Sequence, residues 1–491
     1  MKRLGPTKRT GGAILVAMVA CGSLAATIAE HGALGSVDEE PLRPVPVVMI
    51  VLDELPVATL MDETGEVDED LFPNFARIQR DSTWFRNTTT PAMFTKEAVP
   101  AILTGLYPDN PRSDRRSVFD LVNGTYDIPL THEHHVLERA PSGDPDVSSL
   151  RGVCPSSACE HASASMMRLF ERYGRLFPGG PGEEFLRFLS IIRGDDQPRF
   201  YFLHYVMPHQ PWRSFPTGQA YTKTTFLPGQ VNAPGPGKEW IDNRWLVMQA
   251  YQRHLLQTSL LDRQLGVLID HLEARDIYDQ SLIAITADHG VAFAPGESKR
   301  VVTPRTVGHL SPVPFFIKQP FQDAGRISDR PVETVDVVPT LIDALASSDV
   351  PLETDGVSAL ASDFPTQRVR KTDYLELPRD LDAKFSVAEI KYDTFGYGKR
   401  GIDLFSVAPG GTESMLGRRI GRFEMTSPAD AGVVVENIRR VEKARPAMPL
   451  LPALVEGALE GRGARGQKIV VAIDGEVVAV TKSYRNPRGA N

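Results

Sequence analysis

Val48-Met-Ile-Val-Leu-Asp53-Glu54 and Leu282-Ile-Ala-Ile-Thr-Ala-Asp288-His289-Gly290 are the two stretches that decide the fold. Each is a run of aliphatic and β-branched residues that ends in acidic or imidazole side chains. Such a run is typical of a strand buried on both faces of a parallel sheet. The sequence therefore predicts an α/β fold in which these polar side chains follow the carboxyl ends of buried strands, where open α/β sheets bind ligands.

The polar residues at these strand ends, Asp53, Glu54, Asp288 and His289, are of the types that bind divalent cations. For either pair alone, capping of the loop after the strand is an equally good interpretation. Because both pairs would meet at one edge of the sheet, together they favour a metal site.

A third stretch, Thr95-Lys-Glu-Ala-Val-Pro100-Ala-Ile-Leu-Thr-Gly105, places a hydroxyl ten residues before the glycine of a Leu-Thr-Gly sequence. With this stretch and four later motifs, the chain resembles the sulfatase family of the alkaline-phosphatase superfamily over residues 45–360. The later motifs are Met207-Pro-His209-Gln-Pro-Trp212, Thr286-Ala-Asp288-His289-Gly290, Val313-Pro-Phe-Phe-Ile-Lys318 and Thr334-Val-Asp336-Val-Val-Pro339-Thr340.

The resemblance implies an alkaline-phosphatase-like sandwich, with a central, mostly parallel sheet flanked by helices and a smaller mixed or β-rich C-terminal region. It also implies a divalent metal, which can be Mn, Zn, Mg or Ca. The implied metal ligands are Asp53, Glu54, Thr95, Asp288 and His289. Thr95 stands at the position of the nucleophile.

Thr95 is also where the chain departs from sulfatases proper, which carry Cys or Ser in a context that directs oxidation to formylglycine. A threonine there is similar to phosphoglycerol and phosphoethanolamine transferases of the same superfamily. A hydroxyl is a poor nucleophile at neutral pH unless a metal or a base lowers its pKa. The alternative interpretation is that Thr95 is a helix N-cap, although Pro100 would interrupt a long helix.

Further candidate site residues lie in the second half of the resemblance. His209 is implied to contact the transferred group or a second metal, and His309 is a candidate for assisting the leaving group. Lys299 and Arg300 follow the Asp288-His289 pair and would neutralise an oxyanion, unless they are a solvated charge pair. His204, inside a predicted strand, is interpreted as a packing residue.

The predicted function is that of an extracytoplasmic, metal-dependent, sulfatase-like hydrolase or transferase. It would act on phosphate or sulfate esters through Thr95, with phosphoester chemistry favoured. The alternatives are a sulfuric ester hydrolase in the strict sense and a catalytically inactive, sulfatase-like surface binding protein. The implied partner is an anionic ester, free or carried on a lipid or glycan. The formal net charge of −8 argues against a nucleic-acid partner.

The N-terminal residues 1–30 are predicted to be an export signal or a membrane anchor, because Lys2, Arg3, Lys8 and Arg9 precede an uncharged stretch. Lipidation at Cys21 is a third interpretation. All three place the catalytic domain outside the cytoplasm, in a membrane-anchored or secreted protein. In that compartment the neighbouring Cys154 and Cys159 are predicted to form a disulfide.

After a linker at 31–44, residues 45–360 are predicted to form the catalytic domain and 361–491 a smaller C-terminal region. Further strands are predicted at 199–206, 282–285 and 314–317. Leucines at three- and four-residue intervals predict a helix over 242–274. In the C-terminal region a hairpin is predicted around Asp474-Gly475, and a helix near 433–445.

Overall fold

The computed structural model describes residues 42–112, 115–129, 181–195, 197–222, 230–231, 239–346, 352–372, 375–377, 382–396, 404–405, 408–409, 411–424, 431–461 and 466–484. They belong to one compact unit, residues 40–491. The predicted signal or anchor at 1–30 and the Cys154–Cys159 pair lie outside the described residues. Within the described part of the chain, no helix combines the length and the hydropathy needed to cross a bilayer.

The described helices are α1 (Val57–Leu60), α2 (Pro73–Asp81), α3 (Thr95–Thr104), α4 (Val118–Val122), α5 (Pro181–Ile191), α6 (Arg244–Glu273), α7 (Val307–Leu310), α8 (Val337–Leu345), α9 (Ala383–Phe395) and α10 (Ile438–Glu442). Short 3-10 turns cover Thr334–Asp336, Glu413–Met415 and Ile420–Arg422. The described strands are β1 (Val47–Asp53), β2 (Thr83–Phe85), β3 (Thr88–Thr89), β4 (Phe200–Pro208), β5 (Ala220–Tyr221), β6 (Gln230–Val231), β7 (Glu239–Trp240), β8 (Leu282–Ala287), β9 (Pro312–Val313), β10 (Phe315–Lys318), β11 (Arg326–Ser328), β12 (Arg370–Thr372), β13 (Leu375–Leu377), β14 (Ala431–Val435), β15 (Leu450–Leu451), β16 (Gly457–Gly461), β17 (Lys468–Ile473) and β18 (Glu476–Lys482).

Six strands form the central sheet, in the order β11-β2-β10-β8-β1-β4. β1 lies between β8 and β4 and is parallel to both, with Val47 opposite Leu282 and Phe200. β10 is antiparallel to β8 and to β2, so the sheet is mixed. The predicted α/β class is confirmed, and the three further predicted strands are found as β4, β8 and β10, with small shifts at their ends.

Each face of the sheet is covered by its own hydrophobic layer. In β1, Ile50 and Leu52 pack in one layer with residues of α2, α5 and α6. Met49 and Val51 pack in the other, with residues of α3, α4 and α8. Because neighbouring side chains of a strand point to opposite faces, a strand covered on both sides is apolar throughout. This explains the unbroken apolar run that ends at Asp53.

The helix α6, predicted over 242–274, is confirmed between residues 244 and 273. It begins where the side chain of Asn243 accepts a hydrogen bond from the N–H of Leu246 at 3.3 Å. Its buried Asp262 accepts hydrogen bonds from the N–H groups of Asn74 and Phe75, at 2.9 and 2.8 Å. The long helix thus fixes the start of α2 as well as covering the sheet.

In the C-terminal region the predicted hairpin is confirmed. β17 and β18 are antiparallel and are joined by Asp474 and Gly475, both with positive φ (51° and 78°), as a two-residue hairpin turn requires. The helix predicted near 433–445 is wrong for most of its length. Residues 431–435 are strand β14, paired with β16, and only 438–442 are helical. Three consecutive valines at 433–435 favour an extended strand.

The helix α9 lies beyond the predicted domain boundary at residue 360 and packs against α1 and α7. Its Lys391 is buried and donates to the carbonyl oxygens of Thr59 and Met61 and to Oδ2 of Asp68. Residues after 360 therefore contribute to the core near the end of β1. The division into a catalytic domain and a separate C-terminal region stays a prediction.

Candidate functional site

Asp53, Asp288 and His289 meet at the carboxyl edge of the sheet because β1 and β8 are adjacent and parallel. Asp53 is the last residue of β1, and the other two follow β8 directly. The N–H of Glu54 donates to Oδ1 of Asp288 at 3.1 Å, and the N–H of Asp288 donates to the carbonyl of Leu52 at 2.9 Å. The structure therefore brings together the polar ends of the two stretches on which the fold prediction depended.

Glu54 turns back into the site through a left-handed backbone conformation with φ of 67°, which costs a non-glycine residue about 1–2 kcal/mol. Its fully buried carboxylate accepts hydrogen bonds from Arg300 Nη2 and from the N–H of Gln210, both at 2.8 Å. Burial opposes its ionisation, but Arg300 and His209 lead the charges that outweigh this and lower the pKa of Glu54 to about 2. Glu54 is therefore an anion at neutral pH.

Asp53 and Asp288 are held too close together to ionise easily. Burial, followed by repulsion from Asp288 and Glu54, raises the pKa of Asp53 to about 9. Burial also raises the pKa of Asp288 to about 7. Oδ1 of Asp53 and Oδ2 of Asp288 are buried and accept no hydrogen bond in the structure. A bound cation would relieve this repulsion.

His289 completes this arrangement with a fully buried imidazole. Its Nε2 lies 3.3 Å from Oδ2 of Asp288 and 3.9 Å from Oδ1 of Asp53. Burial, followed by the charge of Arg300, lowers the pKa of His289 well below its usual range, so the ring is neutral and able to bind a metal. The imidazole of His289 and the two carboxylate oxygens without a hydrogen bond, Oδ1 of Asp53 and Oδ2 of Asp288, thus fit a divalent cation.

Thr95 is the first residue of α3, and Phe94 occupies the N-cap position. The N-cap interpretation of Thr95 is therefore wrong. Its hydroxyl lies 3.2 Å from Nε2 of His289. The helix continues through Pro100 and ends at Gly105, whose left-handed conformation (φ 69°) lets its N–H cap the carbonyl of Ala101. The Leu-Thr-Gly sequence is therefore a helix end, and the opposite end of α3 presents Thr95 to the site.

Of the two cations after the metal motif, Lys299 is buried and Arg300 is partly buried, with 11% of its side chain exposed, and both are bonded within the protein, so the interpretation as a solvated charge pair is wrong. Arg300 Nη1 lies 2.7 Å from Nε2 of His289 and donates to the carbonyl of Met93 at 2.9 Å. Lys299 is only 1% exposed and donates through Nζ to Oε1 of Gln210. Its ammonium also lies 5.6 Å from the ring centres of both Trp212 and Trp240. Both cations therefore face the acidic site.

His209 and His309 differ in their placement. His209 is part of the site: its Nε2 lies 3.9 Å from Oε2 of Glu54, and 27% of its side chain is exposed. His309 is buried, and burial lowers its pKa to about 4. Its carbonyl lies against Gly290, and the Nδ1 atom of its ring has no hydrogen-bond partner within the described residues. The roles proposed for both histidines stay predictions.

His204 is the site residue that the sequence analysis missed. One donor atom from each of Asp53, His204 and Asp288 lies within 4.8 Å of the other two. Strand alternation carries the missing signal, since His204 pairs with Val51, two residues before Asp53 and on the same face of the sheet.

Comparison with known proteins identifies relatives. Residues 182–347 match the family model Sulfatase. The multifunctional alkaline phosphatase superfamily protein PehA of Trinickia caryophylli is 25% identical in an alignment of 206 residues that covers 35% of this chain. That match spans 39% of the length of the curated relative.

Solved structures are also similar. A phosphonate monoester hydrolase of Agrobacterium radiobacter superposes with a TM-score of 0.45 and 18% identity, covering 64% of this chain and 76% of that one. SpPMH, a phosphonate monoester hydrolase from Silicibacter pomeroyi, gives 0.43 and 18%, with the same coverage. The 2-O GAG sulfatase BT1596 gives 0.41 and 15%, covering 65% and 73%.

The matched segment contains β4, α6 and β8, together with His209, Asp288 and His289. Asp53 and Thr95 precede it and join it through the sheet and α3. The resemblance drawn from the motifs is confirmed at this level: residues 182–347 match the Sulfatase family model, and part of the chain is similar to a protein of the alkaline-phosphatase superfamily.

Proposed function

We infer that this protein is a metal-dependent ester hydrolase or transferase that uses Thr95 as its nucleophile. The observation that carries the inference is the position of the Thr95 hydroxyl. It lies 3.2 Å from Nε2 of His289, within a buried group of carboxylates and cations. A hydroxyl in such surroundings is suited to attack at phosphorus or sulfur. A threonine that only packs in the core would not need carboxylates and cations around it.

Asp53, Glu54, Asp288 and His289 would hold the cation, with Thr95 beside it. A divalent metal bound there supplies positive charge for the ester's oxygens and lowers the pKa of the Thr95 hydroxyl. Arg300, Lys299 and His209 bind the remaining oxyanion charge. Since Arg300 also pairs with Glu54, it is held at the site before the substrate arrives.

The reaction follows as two displacements. In the first, the Thr95 hydroxyl loses its proton to solvent, a bond forms between Oγ1 and phosphorus, and the bond to the leaving oxygen breaks. The departing alcohol takes a proton from solvent. In the second, water or an acceptor hydroxyl attacks the phosphorus in line and threonine is regenerated.

Phosphoester chemistry is favoured over sulfate-ester chemistry because of the residue type at position 95. A formylglycine hydrate releases sulfate by collapsing to an aldehyde. Threonine carries a secondary alcohol and cannot form that aldehyde, so a threonine sulfate would be a dead end. A phosphothreonine has an exit through a second attack on phosphorus.

The location and partners belong to the same proposal. The charged and then apolar N-terminal sequence supports an extracytoplasmic site, in a secreted or membrane-anchored protein. The cations Lys299, Arg300 and the neighbouring His209 support an anionic ester as substrate. The sequence and the site leave a lipid-linked and a glycan-linked ester equally compatible.

Trapping the covalent intermediate tests the proposal. After turnover of a nitrophenyl phosphodiester and an acid quench, intact-mass and peptide analysis should place a phosphoryl group on Thr95. Thr95→Ala should abolish turnover. Thr104→Ala is the matched control, because Thr104 lies at the other end of α3 and donates to the carbonyl of Pro100. Full activity of Thr95→Ala would overturn the assignment.

A comparison of substrates separates the alternatives. Nitrophenyl phosphodiester and nitrophenyl sulfate are turned over with manganese, zinc, magnesium and calcium. We expect the phosphodiester to be the better substrate. A sulfate ester preferred with all four metals would establish a sulfuric ester hydrolase. Metal binding without turnover of either ester would establish an inactive binding protein.

A further inference from the structure

His204 lies in β4 on the face of the sheet that carries the candidate metal ligands. It pairs with Val51 of β1, and Phe202, two residues earlier, packs in the layer that contains Val51. Alternation along the strands places His204 on the Val51 side of the sheet. The β1–β4 register shifts between Leu52 and Asp53, and the distances between donor atoms bring the imidazole to Asp53. The Val51 side is also the side covered by α3, which presents Thr95.

The distances place an imidazole nitrogen at the carboxylates. Donor atoms of Asp53, His204 and Asp288 lie within 4.8 Å of one another. Neighbouring ligand atoms of one tetrahedral zinc ion lie about 3.4 Å apart, because each bond is about 2.1 Å long. Donor atoms up to 4.8 Å apart reach this spacing when each moves inward by about 0.8 Å.

A second observation is independent of that spacing. Oδ1 of Asp53 and Oδ2 of Asp288 are buried acceptors without a hydrogen bond in the structure. Their side chains are 7% and 0% exposed. Buried carboxylate oxygens left unpaired are costly unless a cation or a donor reaches them. The two carboxylate residues whose oxygens lack a hydrogen bond, Asp53 and Asp288, are the same two that lie beside the imidazole of His204.

We propose that His204 is a ligand of the catalytic cation, which gives the site two imidazoles, from His204 and His289, beside the carboxylates of Asp53 and Asp288. This inference rests on the proposed function. Imidazole suits zinc and other later transition metals, whereas calcium and magnesium prefer oxygen ligands. The donor set therefore selects a transition metal such as zinc over calcium and magnesium.

Pulsed electron paramagnetic resonance of the Mn²⁺-loaded, full-length protein counts the imidazole nitrogens on the metal. We expect two in the unaltered protein and one in His204→Gln. A single imidazole in the unaltered protein overturns the proposal. Because this measurement needs no variant, it remains decisive if His204→Gln does not fold.

Metal affinity provides a second readout. Titration of the protein with Mn²⁺ alone, followed by competition with Ca²⁺, should show Mn²⁺ affinity about 10–100-fold weaker in His204→Gln. The preference for Mn²⁺ over Ca²⁺ should fall by a similar factor. Tyr205→Phe is the matched control, because Tyr205 is the next residue of β4 and packs in the opposite layer. Unchanged affinity and preference in His204→Gln overturn the proposal.

Asp288→Asn distinguishes a failure of this inference from a failure of the proposed function. If Asp288→Asn loses Mn²⁺ while His204→Gln keeps it, the metal site stands and His204 is not a ligand. If Asp288→Asn also binds stoichiometric Mn²⁺, the site itself is misassigned, and both proposals are overturned.

Discussion

Replacing Lys391 with methionine is expected to destabilise the protein by about 3–5 kcal/mol at pH 7, the usual effect of removing one partner of a buried ion pair. Lys391 is fully buried, and its Nζ lies 3.2 Å from Oδ2 of Asp68 and 3.2 Å from the carbonyl oxygen of Thr59. The carbonyl of Met61 also accepts from it. Methionine fills a similar volume but leaves Asp68 and both carbonyls without their cationic donor.

The pH dependence identifies the cause. Burial lowers the pKa of Lys391 from 10.5 to about 8, although Asp68 opposes this. Between these two values the unfolded chain binds more protons than the folded protein. The free energy of unfolding therefore rises with pH across this window. At about 1.4 kcal/mol per unit, the lysine contributes a rise of about 3 kcal/mol between pH 8 and 10.5, which Lys391→Met lacks.

Urea unfolding followed by tryptophan fluorescence, with a metal chelator present, measures both effects. The stability gap between the unaltered protein and Lys391→Met should widen as pH rises from 8 to 10.5. Adding Asp68→Asn to Lys391→Met should restore part of the loss, since it removes the unpaired buried charge. Lys96→Met, at a side chain 80% exposed, should change stability by less than about 0.5 kcal/mol. A gap that is negligible at pH 7, or that narrows with rising pH, would refute the reasoning.

Three further predictions concern the packing around the site. Gly290→Ala would place a Cβ 2.0 Å from the carbonyl oxygen of His309. It should therefore lower the free energy of unfolding by about 1–3 kcal/mol, measured by thermal unfolding. Gly421→Ala is the control and should leave stability unchanged, because Gly421 has open space around it. Asp262→Ala should cost about 1–3 kcal/mol in urea unfolding, because it removes the acceptor for N–H groups at the start of α2. Arg300→Gln should lower kcat/KM for the phosphodiester by about 100-fold or more in steady-state assays, and a variant with normal kcat/KM would exclude an oxyanion role.

Local sequence patterns predict the strands and helices whose burial is uniform. β1 and β8 are recognisable because both of their faces are covered, and α6 because its leucines repeat with the helical period. The direction of β10 is not encoded in its short apolar run, so the antiparallel pairing that makes the sheet mixed could not be predicted. Three valines at 433–435 show how a local strand preference interrupts an expected helix.

Some residues of the candidate site could be predicted from the sequence and others could not. Asp53, Asp288 and His289 are predictable because they end or follow buried strands. Thr95 is predicted only through the family resemblance, which implies a nucleophile ten residues before the glycine of Leu-Thr-Gly. His204 was not predicted because its apolar sequence neighbours in β4 suggested a packing role. Its position near Asp53 follows from the pairing of β4 with β1, which the sequence does not specify. The Lys391–Asp68 ion pair joins residues 323 positions apart, and no local sequence pattern in either segment predicts the contact.

The central position of β1 has a consequence for how the chain folds. β1 is among the first described segments, yet its two neighbours in the sheet begin at residues 200 and 282. During synthesis, one edge of this apolar strand therefore remains unpaired until β8, at Leu282–Ala287, has emerged. An exposed apolar edge is a template for aggregation. The same late pairing brings Asp288 to Asp53, so a nascent chain covers its aggregation-prone edge and assembles the proposed metal site in one step.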